Sequence, residues 1–159
     1  MTLAIGIDPG TATTGYGLVR LAPDGGLSAV TFGIISTSKD SSAPARLELL
    51  YQQLNGLLTL HRPDTAAVEK LYFQRNVSTA LAVGQARGVA LLSLQQAGVE
   101  VFEYTPNEVK QAVVGYGSAE KRQVQEMVRP LLGLPEIPRP DDAADALAIA
   151  ITHLNTKRF

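Results

Sequence analysis

The chain contains no cysteine and only two histidines, His61 and His153. Without cysteine, a disulfide scaffold, a thiol nucleophile, an iron–sulfur cluster and a thiolate zinc site are all excluded. Charged side chains are sparse at 18%, and fourteen Lys and Arg against fifteen Asp and Glu leave a net charge of −1. A uniformly basic coat for nucleic acid is therefore excluded, whereas a local basic face is not. No apolar run reaches the roughly 18 to 20 residues of a membrane span, and Met1-Thr2-Leu3 carries neither a basic n-region nor an apolar h-region. The expectation is a cytoplasmic protein with no membrane partner. What the chain does have is 45% apolar residues over 159 positions, enough for one α/β domain, residues 1–159, with its own core.

Leu3 to Ile7 is an apolar run closed by Asp8-Pro9-Gly10, and it reads as a buried strand ending in a turn. Gly15 to Leu21 reads as a second strand, stopped by the hairpin signal Pro23-Asp24-Gly25-Gly26, and Ser28 to Ile35 as a third. Leucines at 47, 50, 54, 57 and 58 give helical spacing across Ala45 to Leu60, with Pro44 at the start. Thr65 to Val68 is a short fourth strand that delivers Glu69 at its end. A long helix follows, with Val77, Ala80, Leu81, Gly84, Gly88, Leu91 and Leu92 on one stripe, and Val99 to Tyr104 is a fifth strand. Thr105 is placed to cap a short helix through Val113, Ser118 to cap another running to Arg129, and a last helix spans about Asp141 to Leu154. The order β-β-β-α-β-α-β-α-α-α predicts a five-stranded mixed sheet flanked by helices.

With cysteine absent, chemistry falls to acids, bases and hydroxyls. Both histidines read as solvated surface residues, and neither a nucleophile elbow nor a GxxxxGK[ST] loop is present. Asp8 and Glu69 each end an apolar strand, the rim position that open α/β sheets use for ligands. Asp142 and Asp145 are three residues apart on a helix whose remaining positions are almost all Ala, Leu and Ile, so they share a face of a largely buried element. Buried carboxylates need compensation, which Arg139, the helix dipole or a divalent cation could supply. Oxygen ligands without Cys or His favour Mg²⁺ or Mn²⁺ over zinc. Each acid also has an ordinary structural explanation: an Asx turn for Asp8, a surface strand end for Glu69, and the first helical turn for the others, with Asp141 read as the N-cap. Their joint layout, one acid on strand 1, one on strand 4 and a pair on the last helix, resembles that of a ribonuclease H-like nuclease.

The resemblance then becomes specific. Ile5-Gly6-Ile7-Asp8-Pro9-Gly10 with Thr14-Gly15-Tyr16-Gly17 resembles the N-terminal signature of the RuvC family of bacterial Holliday junction resolvases. Gly84 to Val89, Val109-Lys110-Gln111, Gly117 to Lys121 and Asp142 to Ala150 are similar to further motifs of that family, in order and along essentially the whole chain. The resemblance implies that Asp8, Glu69, Asp142 and Asp145 form a catalytic cluster binding two Mg²⁺ ions, with Mn²⁺ a plausible substitute. It implies hydrolytic nicks that leave 5′-phosphate and 3′-hydroxyl ends. It also implies a four-way DNA junction as substrate, a homodimer, and a RuvA–RuvB branch-migration complex as partner.

Residues 70–129 carry seven basic and five acidic side chains, so this stretch is the candidate for phosphate contact, with Lys110 and Lys121 at positions resembling the family's DNA contacts. Tyr72, Phe73 and Arg75 fall in an expected loop directly after Glu69, where either ring could stack on an unpaired base. The small-residue stripe Ala80, Gly84, Gly88 suits a close helix contact between two copies or packing of that helix on its own sheet. Three other readings are set against this one. An actin-like kinase needs two domains and finds no room in 159 residues; a junction-binding protein that has lost cutting should lack an acid, and all four are present; a same-fold nuclease with another substrate would not need the GQARGV and GSAEK matches.

Overall fold

The computed structural model describes residues 1–10, 12–70, 77–157 and 159. Five strands, β1 (Thr2–Asp8), β2 (Thr13–Leu21), β3 (Leu27–Ser36), β4 (Thr65–Glu69) and β5 (Val101–Tyr104), form one sheet in the order β3-β2-β1-β4-β5. The hairpin-linked strands β1, β2 and β3 run antiparallel, whereas β4 lies parallel to β1 and β5 parallel to β4. Both parallel steps are made through helices, α1 (Ala43–His61) and α2 (Val77–Gln96), because a parallel crossover is too long for a tight turn. The expected mixed sheet is thus observed, followed by α3 (Pro106–Val113), α4 (Lys121–Leu132) and α5 (Asp141–Thr156).

Alternation along the strands divides the core in two. Leu3, Ile5 and Ile7 of β1, with Ala66 and Val68 of β4, face Leu50, Leu54 and Leu58 of α1 and Ala86, Ala90 and Leu94 of α2. Ala4, Gly6 and Asp8 point the other way, toward α5, behind which α3 and α4 bring Val109, Val113, Val124 and Val128. Every residue of helix α5 from Ala143 to Leu154 is buried except Asp145. The helix can lie this close because the strands beneath it carry glycine at three positions it crosses, Gly6, Gly15 and Gly17. A Cβ on Gly6 would collide with the Ala146 carbonyl, one on Gly15 with the Asp142 carbonyl, and one on Gly17 with the Leu147 side chain. Alanine on the helix and glycine on the sheet bring two backbones into contact, and that contact fixes the helix against the strands.

Several local expectations are corrected. His153 is not a solvated residue: it is fully buried. Its Nε2 lies 2.7 Å from the Thr65 hydroxyl and its Nδ1 2.8 Å from the Tyr104 hydroxyl, and its ring stacks near Phe102. Burial, with Lys157 nearby, lowers its pKa from 6.5 to about 4. Since α5 reads as apolar all round, a histidine in its last turn had to be buried too. Ser118 does not cap α4, because Ala119 still bonds back to the Tyr116 carbonyl in a turn; the helix starts one step later, where the Glu120 amide donates to Gln123 Oε1 at 2.8 Å. It also runs past Arg129 to Leu132, since Pro130 removes only one amide and Gly133 (φ 64°) closes the end. Asp141 is the first residue of α5 rather than its cap, which is Pro140.

The stripe on α2 is divided: Ala80, Gly84 and Leu91 are half-buried, Leu91 against the core, and the rest faces outward. Ala86, Ala90 and Leu94 join the core against the sheet, while Val77 (86% exposed), Leu81 (61%) and Leu92 (52%) stand in solvent with Gly88 between them. Packing on its own sheet therefore does not account for Val77, Leu81, Gly88 and Leu92. No helix of the described residues is long and apolar enough to cross a membrane.

Candidate active site and metal centre

Asp8 and Glu69 leave the sheet side by side. Ile7 pairs with Val68 in the parallel register, so the two acids occupy neighbouring strand ends, and by alternation both emerge on the α5 face. Asp8 also pairs across β2 with Gly15, the residue whose missing Cβ admits the Asp142 carbonyl. One point on the sheet thus seats the strand acid and the first turn of the helix together. Asp145, one turn on, falls on the same side. An oxygen from each of Asp8, Asp142 and Asp145 lies within 4.8 Å of the others.

Glu69 joins these three in lining a cleft of about 400 Å³, whose wall also carries Lys110 of α3 and Lys121 of α4. The four acids that the sequence singled out are therefore brought to one place, and so are both lysines. Tyr72, Phe73 and Arg75 lie outside the described residues.

The electrostatics show how crowded the negative charge is. Asp8 is pushed up from 3.8 to about 8 by burial first, then by the charges of Glu69, Asp145 and Asp142. Glu69 is likewise raised, by burial and then by Asp145, with Lys121 and Lys110 opposing. Burial works against the charge on Lys121, yet its hydrogen bond to Asp145 and the fields of Asp145, Asp8 and Asp142 hold its ammonium above the ordinary value. The Lys121 ammonium sits 3.0 Å from Asp145 Oδ2. Carboxylates that resist ionising together are what a hard divalent cation would relieve. The donor set, oxygen only with no nitrogen or sulfur, fits such an ion and not a thiolate-seeking one.

Two partners of the acids were not found in the sequence. Gln125, one turn beyond Lys121 on the same face of α4, donates to Asp145 Oδ1 at 3.3 Å. Thr13, at the start of β2, donates from its hydroxyl to Asp142 Oδ2 at 2.5 Å. Gln125 had a signal, the four-residue spacing from Lys121. Thr13 had only its two-residue offset from Gly15.

Comparison with known proteins follows the same lines. The family model of crossover junction endodeoxyribonuclease RuvC matches residues 4–153. The crossover junction endodeoxyribonuclease RuvC of Chloroflexus aggregans is 60% identical over 154 residues, which cover 96% of this chain and 93% of that protein. The corresponding protein of Syntrophomonas wolfei is 54% identical over 155 residues, covering 98% and 90%. Among solved structures, Thermus thermophilus RuvC in complex with Holliday junction substrate superposes with a TM-score of 0.93 at 38% identity, over 98% of this chain and 94% of that one. The expected ribonuclease H-like fold is thereby borne out. With the family model spanning nearly the whole chain and relatives this similar at full length, the chain belongs to the RuvC family of crossover junction endodeoxyribonucleases.

Proposed function

We propose that this chain resolves four-way DNA junctions by nicking opposing strands in a pair of identical sites, with Asp8, Glu69, Asp142 and Asp145 as the catalytic carboxylates. The observation that carries this is the convergence of four acids from β1, β4 and α5 on one cleft walled by two lysines. The acids would hold two Mg²⁺ ions, or Mn²⁺ in their place. When bound, such a pair supplies an activated water and stabilises the leaving 3′-oxygen of an in-line displacement.

The chain's own groups do the rest. The glycine contact under α5 fixes the strand acid against the helix acids, so the carboxylates are preorganised before substrate arrives. Lys110 and Lys121 set positive charge on the wall of an otherwise negative cleft, which a phosphate backbone needs in order to approach. Tyr72, Phe73 and Arg75 remain part of this proposal as contacts near the junction centre. Hydrolysis would leave 5′-phosphate and 3′-hydroxyl ends. Incubating the protein with a synthetic four-way junction, and with a linear duplex of the same arm sequence, is the direct test. Paired nicks are expected in the junction alone, in Mg²⁺ and not in EDTA; equal cutting of both substrates would remove junction shape from the reading.

Two symmetric cuts call for two copies of the chain. The outer face of α2 supports a homodimer. A helix apolar on both sides is buried on both sides in a working assembly, and here only one side is covered by the sheet. Leu81→Glu is expected to shift the sedimenting species from dimer to monomer at micromolar concentration. An unchanged dimer would place the interface elsewhere. Delivery of the junction by a RuvA–RuvB complex belongs to the same proposal and rests on family membership alone.

A further inference from the structure

Thr13 opens β2 on the strand face shared with Gly15 and Gly17, so its side chain points at α5. Its 2.5 Å bond to Asp142 Oδ2 has the length of a hydroxyl donating to a charged oxygen. The backbone that delivers it is held from two sides. A Cβ on Gly10 would collide with the Thr13 carbonyl, and the Ala12 carbonyl accepts from the Thr37 amide at 3.1 Å. The hydroxyl itself sits on a β-branched side chain with few accessible rotamers.

Asp142 stands on the first turn of α5, where an aspartate can turn about both its side-chain bonds. Asp145 is held by the ends of two long side chains, Gln125 and Lys121, which must themselves be ordered. Asp142 is held instead by a short, stiff hydroxyl set in the sheet. We propose that Thr13 is a positioning residue of the metal centre: its hydroxyl fixes the rotation of the Asp142 carboxylate before the cation arrives. Ordering a ligand in advance removes that cost from cation binding, and partners of metal ligands commonly account for ~10–100-fold in affinity. The inference rests on Asp142 being a metal ligand, as proposed above.

The test counts Mn²⁺ bound to the DNA-free full-length protein, by electron paramagnetic resonance of the unbound ion, in wild type, Thr13→Val, Thr13→Ser and Asp142→Asn. Valine keeps the shape and removes the donor; serine keeps the donor. Thr13→Val is expected to weaken Mn²⁺ binding ~10-fold, and Thr13→Ser to restore most of it. In junction cutting, the Mg²⁺ concentration for half-maximal rate should rise by the same factor in Thr13→Val, with the rate at saturating Mg²⁺ close to wild type. If Asp142→Asn weakens Mn²⁺ binding and Thr13→Val does not, the positioning role falls and the metal centre stands. Serine behaving like valine also overturns it, since the hydroxyl would then not be what matters. If Asp142→Asn binds Mn²⁺ like wild type, the ligand assignment and the role of Thr13 fall together.

Discussion

Asp8→Asn will bind a synthetic four-way junction, fail to cut it in Mg²⁺, and melt at a higher temperature than wild type in EDTA. Loss of cutting should be at least ~10²–10³-fold, the scale on which removing a single preorganised electrostatic contact acts at a transition state. The gain in stability follows from the titration of Asp8. Its carboxyl is pushed from 3.8 to about 8 by burial and by three neighbouring acids. Between those values the folded chain retains a proton that the unfolded chain has released, so stability falls as pH rises through that window. At pH 8 wild type without metal bears this cost, and an asparagine, which does not titrate, is free of it. A rise in Tm of about 5 °C or more is expected, since 1 kcal/mol corresponds to roughly 2–4 °C in a chain of this size. Mg²⁺ should raise the Tm of wild type by mass action and that of the variant much less. Wild-type cutting by the variant would take Asp8 out of the site. A lower Tm in EDTA would show that the cluster is not strained.

Acidification from pH 6.5 to 4 will cost the fold about 3 kcal/mol through a single residue, His153. The direction follows from linkage. Its folded pKa is depressed from 6.5 to about 4, so in that interval the unfolded chain takes up a proton that the folded chain refuses. The stability His153 contributes is complete above pH 6.5, declines as pH falls, and is gone near pH 4. The magnitude is the pKa difference converted at about 1.4 kcal/mol per unit. His153→Leu removes the titration and strands two buried hydroxyls that each bond a ring nitrogen of His153, those of Thr65 and Tyr104. At pH 7 it should cost about 3 kcal/mol. Urea unfolding at pH 7, 5.5 and 4.5 gives both results: the gap between wild type and variant should narrow steadily as pH falls. Asp8 titrates in an overlapping window with the opposite sign, but it is common to both proteins and cancels in the difference. A gap independent of pH would mean that His153 does not titrate as its burial demands.

The succession of elements along the chain and the four acids were legible because the signals are local. Asp8 and Glu69 end short apolar runs, and a period of two decides which face each one leaves. Asp142 and Asp145 stand out against a helix with no other charge beyond its first residue. Thr13 was not legible, because its partner is 129 residues away and depends on where α5 comes to rest. The orientation of α2 was hidden for another reason. A helix with apolar residues on both sides has no preferred face in its pattern, and the small Ala86 and Ala90 that meet the sheet are less conspicuous than the leucines that do not. Ser118 misled because a good capping residue was present two residues too early, inside a loop that needed its backbone bonds for itself.

The glycine floor under α5 also limits how this protein can be made hardier. The common routes replace glycine by alanine, which reduces the freedom of the unfolded chain, or fill gaps with larger apolar groups. At Gly6, Gly15 and Gly17 both are closed, because the space a methyl group would enter already holds helix atoms. Tolerance to heat and the separation of the carboxylates draw on the same few atoms. Variants selected for thermal endurance will therefore collect their changes on α1, on the β2–β3 hairpin and along the outer helices, and leave that floor bare.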